Sequence, residues 1–505
     1  MLAEAPTNWQ LLDESIDHVP GISVLRAKRE LLAGRQPGRT VVVAVIDGGV
    51  DTAHAALRPN LWANPREIPG NGKDDDGDGY VDDVRGWNFI GGRDGRDVDH
   101  DTFELTRVYA RCANVPSASA IPLPSTDQCK KISTEFEKKR SDAQGTLQNV
   151  NMAANAMSQA TKILKPLVRD SLTKESVSAL TPTAFDAQQA RAVFLQLASQ
   201  GISQSVIEDA KKAYESQVQF GLDPAYDPRS IVGDNYSDPA DRRYGNPDVT
   251  GPDAKHGTHV SGIIAGVREG SGGIEGIANS VRIMAVRAVP DGDERDKDIA
   301  NAIRYAVDHG ANVINMSFGK AYSPFKSAVD DAVKYADAHG VLMVHAAGND
   351  GEDNDSSNNF PTPFYLGGGR AQNWIEVGAS SWKGGDTLAT GFSNYGKQRV
   401  DVFAPGEDIL SSIPGGKYER DSGTSMASPV VAGLAALIMA YYPNFTAADV
   451  KRVILESSSR YSDQLVVRPG SKGEKVPFGS LSVTGGIVNA YNAVRMADQA
   501  SVVRP

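Results

Sequence analysis

The sequence predicts an α/β fold, a doubly wound and mostly parallel sheet with helices on both faces, interrupted by a mainly helical insertion. Three observations lead there. Val41-Val42-Val43-Ala44-Val45-Ile46 is an unbroken apolar, mostly β-branched run ending in Asp47-Gly48-Gly49, the pattern of a central strand covered on both faces. From Val281 onward, strand-like runs at 281–289, 313–318 and 341–347 alternate with helical stretches at 298–308 and 326–338, which is βαβ winding. Between about 104 and 246 the composition turns to Ala, Gln, Lys and Ser, and β-branched runs disappear.

Taken in order, a short helix is expected at 24–32, followed by the strand that ends at Asp47. An acid at the carboxyl end of such a strand lies at the rim where open α/β sheets hold their sites. Next, Asp74, Asp76, Asp78 and Gly79 match the first half of a D-x-D-x-D-G calcium loop, in which hard oxygen ligands converge where glycine permits the turn. Arg85 stands where a closing glutamate belongs, so Asp82 or Asp83 must substitute; Tyr80 completes the candidate set. A solvated acidic turn is the plainer alternative.

In the insertion, Ile132, Phe136, Ala143, Leu147, Val150, Ala154 and Met157 step by three, four and seven, one face of a helix that Pro166 should break. Further helices are expected at 186–200 and 205–220, each stopped by a glycine. The expected division is a body of 1–103 and 240–505, with the acidic loop at about 71–85, and an insertion of 104–239. That insertion is either a lid or exosite, or an appendage that only packs on the body. The irregular return, rich in proline, delivers Lys255-His256-Gly257-Thr258-His259 to the mouth of a small-residue helix, with His256 as candidate base and His259 as a structural residue. Zinc is disfavoured, because no cysteine or carboxylate sits at zinc-site spacing nearby. Further on, Ala346-Ala347-Gly348-Asn349 places an amide at the end of a strand. Two more strands are expected at 375–380 and 400–404, and helices at 447–457 and 488–496. Between these, Asp421-Ser422-Gly423-Thr424-Ser425 turns into the apolar run 430–439. There Thr424 or Ser425 is expected to cap the helix, at a positive end that suits a nucleophile.

Lys+Arg of 52 against Asp+Glu of 63 gives 52 − 63 = −11, which argues against nucleic acid or an anionic membrane as partner. No apolar run is long enough to span a bilayer, and the opening residues, with Glu4 and Asn8, are too polar for a signal peptide. The two cysteines, Cys112 and Cys129, are 17 positions apart, close enough to bridge in an oxidising compartment.

Asp47, His256 and Ser425 stand on separate segments in the order acid, base, nucleophile. With Val45-Ile46-Asp47-Gly48-Gly49, His256-Gly257-Thr258-His259-Val260, Ala347-Gly348-Asn349 and Gly423-Thr424-Ser425-Met426-Ala427-Ser428-Pro429, the chain resembles the subtilisin-like serine proteases, or subtilases. The resemblance covers about 20–103 and 240–495. It implies a serine endopeptidase in which Ser425 attacks, His256 relays the proton, Asp47 orients His256, and Asn349 helps hold the oxyanion. The substrate would be a protein or peptide lying extended along 315–319, in a first pocket walled by Ser317, Phe318 and Gly319 and by Ala346, Ala347 and Gly348. Structural Ca2+ and a secreted or periplasmic setting are expected, with signal and pro-segment absent from this sequence. Lys320 and His345 depart from the family pattern beside the pocket. The competing reading is a non-catalytic or partner-switched binding protein on a protease fold, with the insertion as its working surface.

Overall fold

The computed structural model describes residues 4–169, 171–268 and 273–503. Its strands are β1 (Val41–Asp47), β2 (Gly86–Asn88), β3 (Val281–Arg287), β4 (Val313–Met316), β5 (Leu342–Ala346), β6 (Trp374–Ser380) and β7 (Val402–Pro405). They continue with β8 (Ile409–Ile413), β9 (Lys417–Asp421), β10 (Ser459–Arg460), β11 (Leu465–Val467), β12 (Lys475–Pro477) and β13 (Gly486–Ile487). Nine of them form one sheet in the order β10-β13-β7-β6-β5-β4-β1-β3-β2, and every pair in it is parallel except β10 with β13. β1 lies between β3 and β4, as its uninterrupted apolar run requires, and Val41, Val43, Val45 and Ile46 are wholly buried. The β8–β9 and β11–β12 hairpins were not legible in the sequence. Their strands are only three to five residues long, and β9 is largely polar.

The helices beside the sheet run Lys255–Ala265, Asp296–Asp308, Lys326–Ala338 and Thr424–Tyr441, close to the sequence boundaries. The last is apolar on every face, so it must be buried rather than amphipathic; its residues from Met426 to Ala440 are buried without exception. Among the described residues it is the one helix long and apolar enough to cross a membrane, and its place is the interior of the sheet's core.

Contact clustering separates two units: Met1–Asp99 with Ala120–Pro122 and Pro228–Pro505, and His100–Ser119 with Leu123–Asp227. The smaller unit is helical. Its 39-residue helix, Thr126–Leu164, opens on a capping box from Ser125 and Gln128 and stops just before Pro166. Helices Phe185–Ser199 and Gln204–Ser216 pack against it around Met157, Ala160, Leu164, Phe194 and Ile207. A disulfide joins Cys112, which ends helix Glu104–Cys112, to Cys129 in the first turn of the long helix.

In the larger unit, residues 228–239 are fastened by charge. Arg229, buried, forms ion pairs with Asp234 (2.6 Å) and Asp298 (2.5 Å), and Lys297 completes the cluster on Asp234 (2.5 Å).

Candidate active site

The sheet's carboxyl rim brings Asp47 and His256 together. Asp47 ends β1 and is 2% exposed. Its Oδ1 accepts from the Gly48 N–H (2.7 Å) and sits 2.8 Å from His256 Nδ1, with Oδ2 at 3.0 Å. A carboxylate can only accept, so the Nδ1 proton faces Asp47 and Nε2 is left to accept a proton from elsewhere. Close approach depends on Gly257. A Cβ there would fall 2.2 Å from the Gly49 carbonyl oxygen and 3.1 Å from Asp47 Cβ, so a side chain would push the histidine helix off the strand end. Burial of the imidazole opposes its charge. The Asp47 carboxylate, through its charge and hydrogen bond, with Asp421 and Asp253 further out, overcomes this and pushes the pKa up to about 9. The ring's side chain is nevertheless 41% exposed, so water screens part of that field, and the upward direction is the firm consequence. His259, 1% exposed, lies against the carbonyls of Ile409 and Glu419 (both 3.1 Å) and is structural.

Ser425 is the second residue of helix Thr424–Tyr441. Gly423 occupies the N-cap and no side chain caps the helix, which corrects the expected hydroxyl cap. Both hydroxyls are engaged elsewhere. Ser425 Oγ donates to the Ser317 carbonyl (3.0 Å), and among the described residues no hydrogen bond joins it to His256. In return, Ser317 Oγ donates to the Ser425 carbonyl (2.9 Å). Pro429 explains this pairing: four residues on, it lacks the N–H that would bond that carbonyl within the helix. The line continues inward, since Asn315 Nδ2 donates to Ser317 Oγ (3.0 Å) and Ser428 Oγ donates to Asn315 Oδ1 (2.9 Å). A cavity of about 380 Å³ lined by Asp47, His256, Ser317 and Phe318, among others, opens between these elements.

Asn349 follows Gly348 beyond the end of β5. Its Oδ1 accepts from the Thr424 N–H (2.8 Å) and hydroxyl (3.0 Å), which fixes the amide with Nδ2 as the free donor end. The Thr424 hydroxyl also accepts from the Gly348 N–H (3.1 Å), and Asn394 Oδ1 accepts from the N–H groups of Asp350 and Glu352. The sequence reading gave Thr424 only a capping role and did not single out Asn394, because their hydrogen bonds reach segments distant in the chain.

Of the expected pocket walls, Ser317, Ala346 and Ala347 are buried, Phe318 and Gly348 are half-buried and Gly319 is exposed. The carbonyls of Ala346 and Ala347 are occupied by Asn359 Nδ2 (2.9 Å) and Asn354 Nδ2 (2.8 Å). Lys320 is not at the pocket mouth: its Nζ is buried against the Glu294 carbonyl (2.7 Å) and Asp296 (2.8 Å). His345 is wholly buried, with Nδ1 2.9 Å from Glu376 Oε1.

The acidic loop does not gather its six candidates at one point. Glu67, Asp74 and Asp76 present ligand atoms within 4.8 Å of one another, and so do Asp76, Asp78 and His309. Asp82 is turned away to accept from the Asn71 and Gly72 N–H groups (3.1 and 2.8 Å). Asp83 accepts from Asn64 Nδ2 (2.8 Å) and the Tyr305 hydroxyl, and the Tyr80 hydroxyl donates to the Arg242 carbonyl (3.3 Å). Burial, then the charges of Asp83 and Asp75, push the Glu67 pKa up against the backbone N–H groups that hold it. Three hard carboxylates of which one is buried and destabilised as an anion are a donor set that suits Ca2+. The group containing His309 is instead accounted for by ion pairs, since its Nε2 lies 2.7 Å from Asp78 and 3.2 Å from Asp83. Glu67 and His309 lie outside the D-x-D spacing and were missed for that reason.

The chain is 41% identical over 240 residues to a thermophilic serine proteinase of Bacillus sp. (strain AK1), covering 47% of this chain and 52% of that one. It is 34% identical over 258 residues to an intracellular serine protease of Paenibacillus polymyxa (51% and 72%), and 37% over 212 residues to subtilisin E of Bacillus subtilis (strain 168) (41% and 51%). The chain spans about half the length of these two Bacillus relatives. A solved structure titled as proteases from Pseudoalteromonas arctica superimposes with a TM-score of 0.50 over 98% of both chains at 19% identity, a likeness of fold. The model of the subtilase family matches residues 38–479, and the chain belongs to that family.

Proposed function

We propose that the protein is a serine endopeptidase acting through an acyl-enzyme on Ser425. The observation that carries this reading is the Asp47–His256 hydrogen bond, which opens on the cavity lined by Ser317, whose carbonyl holds the Ser425 hydroxyl. As a peptide binds, Ser425 Oγ leaves Ser317, attacks the scissile carbonyl carbon, and passes its proton to Nε2 of His256. Asp47 keeps Nδ1–H in place and stabilises the imidazolium. The oxyanion accepts from Asn349 Nδ2 and the Ser425 N–H, one of the first-turn donors that a helix leaves unused. His256 then gives its proton to the leaving amine as the C–N bond breaks, and water releases the acyl group by the same steps in reverse. The substrate adds as an extended strand along 317–319, beyond the end of β4, since Asn315 and Met316 are already paired on both sides by β1 and β5.

The catalytic body comprises about 1–103 and 228–505, with about 104–227 as the insertion, because Arg229 and Asp234 pair with Asp298 and Lys297 of the body. Glu67, Asp74 and Asp76 would hold a structural Ca2+, whose charge offsets their mutual repulsion and ties the loop down. The bridged cysteines and the family suit a secreted or periplasmic setting. A fluorophosphonate probe should label Ser425 in the wild type and leave Ser425→Ala unlabelled, with kcat for peptide hydrolysis falling by about 10⁶. Full hydrolysis by Ser425→Ala would overturn the reading.

A further inference from the structure

The loop that carries Asn349 is fastened by a buried residue far along the chain, Asn394, which is 3% exposed. It brackets Asn349 on both sides. The Asn394 N–H donates to the Gly348 carbonyl (2.8 Å), on the residue before. Its Oδ1 accepts from the Asp350 N–H (3.0 Å), on the residue after, and from the Glu352 N–H (2.9 Å). Its Nδ2 donates to Asn354 Oδ1 (3.1 Å), and Asn354 Nδ2 returns to the Ala347 carbonyl (2.8 Å). Gly348 makes the approach possible: its φ is +108°, and a Cβ there would fall 2.5 Å from Asn394 Nδ2. Two backbone bonds, from the Gly351 N–H to the Phe392 carbonyl (2.8 Å) and from the Tyr395 N–H to the Glu352 carbonyl (3.0 Å), lay 392–395 along the loop. What this loop aims is the free end of the Asn349 amide. A Cβ added to Gly423 would lie 3.4 Å from Asn349 Nδ2 and 3.6 Å from the Ser425 nitrogen, so both proposed oxyanion donors reach one point beside Gly423.

We infer that Asn394 is a positioning residue for the oxyanion donor: it fixes the backbone on both sides of Asn349, and through it the place of Nδ2 relative to the developing charge. Thr424 turns the amide by holding its Oδ1; Asn394 holds the chain from which that amide projects. Without its two acceptor bonds, the Asp350 and Glu352 N–H groups turn to water and the loop is free to carry Nδ2 off its mark. A displacement of about 1 Å is enough to cost ~10²-fold where a reaction depends on placement. The loss belongs to the transition state, in which charge collects on the oxygen, and not to substrate binding. The inference rests on the endopeptidase reading and adds to it a residue that touches neither the substrate nor the reacting atoms.

The test is a double-mutant cycle on peptide hydrolysis by the full chain, with rates taken per active site titrated by a fluorophosphonate. Asn349→Ala should lower kcat by about 10²–10³, the size of one lost oxyanion donor. Asn394→Ala should lower it by about 10–10² with KM within about threefold, the pattern of an interaction made only in the transition state. In the Asn349→Ala background, Asn394→Ala should lower kcat by less than about threefold further, because the donor it positions is already gone. Asn394→Asp, which keeps both acceptor bonds, should recover most of the kcat that the alanine variant loses. If Asn394→Ala fails to fold, Asn394→Ser enters the cycle in its place with a smaller loss, since its hydroxyl can accept from one of the two N–H groups. Full multiplication of the two losses in the double variant, an aspartate variant as slow as the alanine one, or a folded alanine variant with wild-type kcat would overturn the inference. The endopeptidase reading fails separately: then wild type cuts no peptide and Ser425 does not react with a fluorophosphonate.

Discussion

Removing the Ser317 hydroxyl should destabilise the protein by an amount that depends on Pro429. In Ser317→Ala two groups lose their partner, the Ser425 carbonyl and Asn315 Nδ2, the latter on a residue with no exposed surface. At about 1–3 kcal/mol for each orphaned polar group, the loss is about 2–6 kcal/mol. In Pro429→Ala the residue at 429 regains an N–H, which can bond the Ser425 carbonyl within the helix. There Ser317→Ala strands only the Asn315 amide, and its effect falls to about 1–3 kcal/mol. The four-member cycle should therefore show a coupling of about 1–3 kcal/mol, larger than the scatter of independent sites. Denaturant unfolding followed by tryptophan fluorescence measures it. All five tryptophans, Trp9, Trp62, Trp87, Trp374 and Trp382, lie in the larger unit, so melting of the helical unit does not blur the signal. A Ser425→Ala background suppresses self-digestion and keeps the carbonyl in question. Equal effects of Ser317→Ala with and without Pro429 would refute the reasoning, because the hydroxyl would then not be replacing the missing N–H.

Three further outcomes are expected. In the proposed mechanism the neutral form of His256 acts as base, so kcat/KM should rise with pH through a midpoint above the ordinary 6.5, and Asp421→Asn, by removing one of the charges that raise it, should lower that midpoint; a wild-type midpoint at or below 6.5 would contradict the electrostatics. Calcium at a hundredfold excess over its Kd should stabilise by about 2.7 kcal/mol and raise Tm. Asp76→Asn, which alters the residue common to both acidic groups, should erase the response, and a wild-type melt indifferent to chelator would remove the metal. Arg229→Met should cost about 3–5 kcal/mol in denaturant unfolding, since it leaves the Asp298 side chain, which has no exposed surface, without its ion-pair partner and Asp234 with Lys297 alone; a change below 1 kcal/mol would show that the pair is dispensable.

The sequence by itself determined the central strand, the alternating winding and the order of Asp47, His256, Asn349 and Ser425, because each is written in a local signal. A short β-branched run closed by two glycines reads as a covered strand, and a glycine beside His256 marks where the backbone must come close, as Gly257 does. The long helix of the insertion was legible for the same reason, its apolar face repeating with the helical period up to Pro166. What only the tertiary structure decided are contacts between segments far apart in the chain. That Thr424 turns the Asn349 amide, that Ser317 answers the proline four residues after Ser425, and that Glu67 rather than Asp82 or Asp83 joins Asp74 and Asp76 depend on which N–H and hydroxyl groups reach each carboxylate or carbonyl. The same holds for Asn359, an ordinary loop residue in sequence. Its amide holds the Ala346 carbonyl because Phe360, the next residue, pairs through its backbone with Lys320, a placement that no local periodicity records.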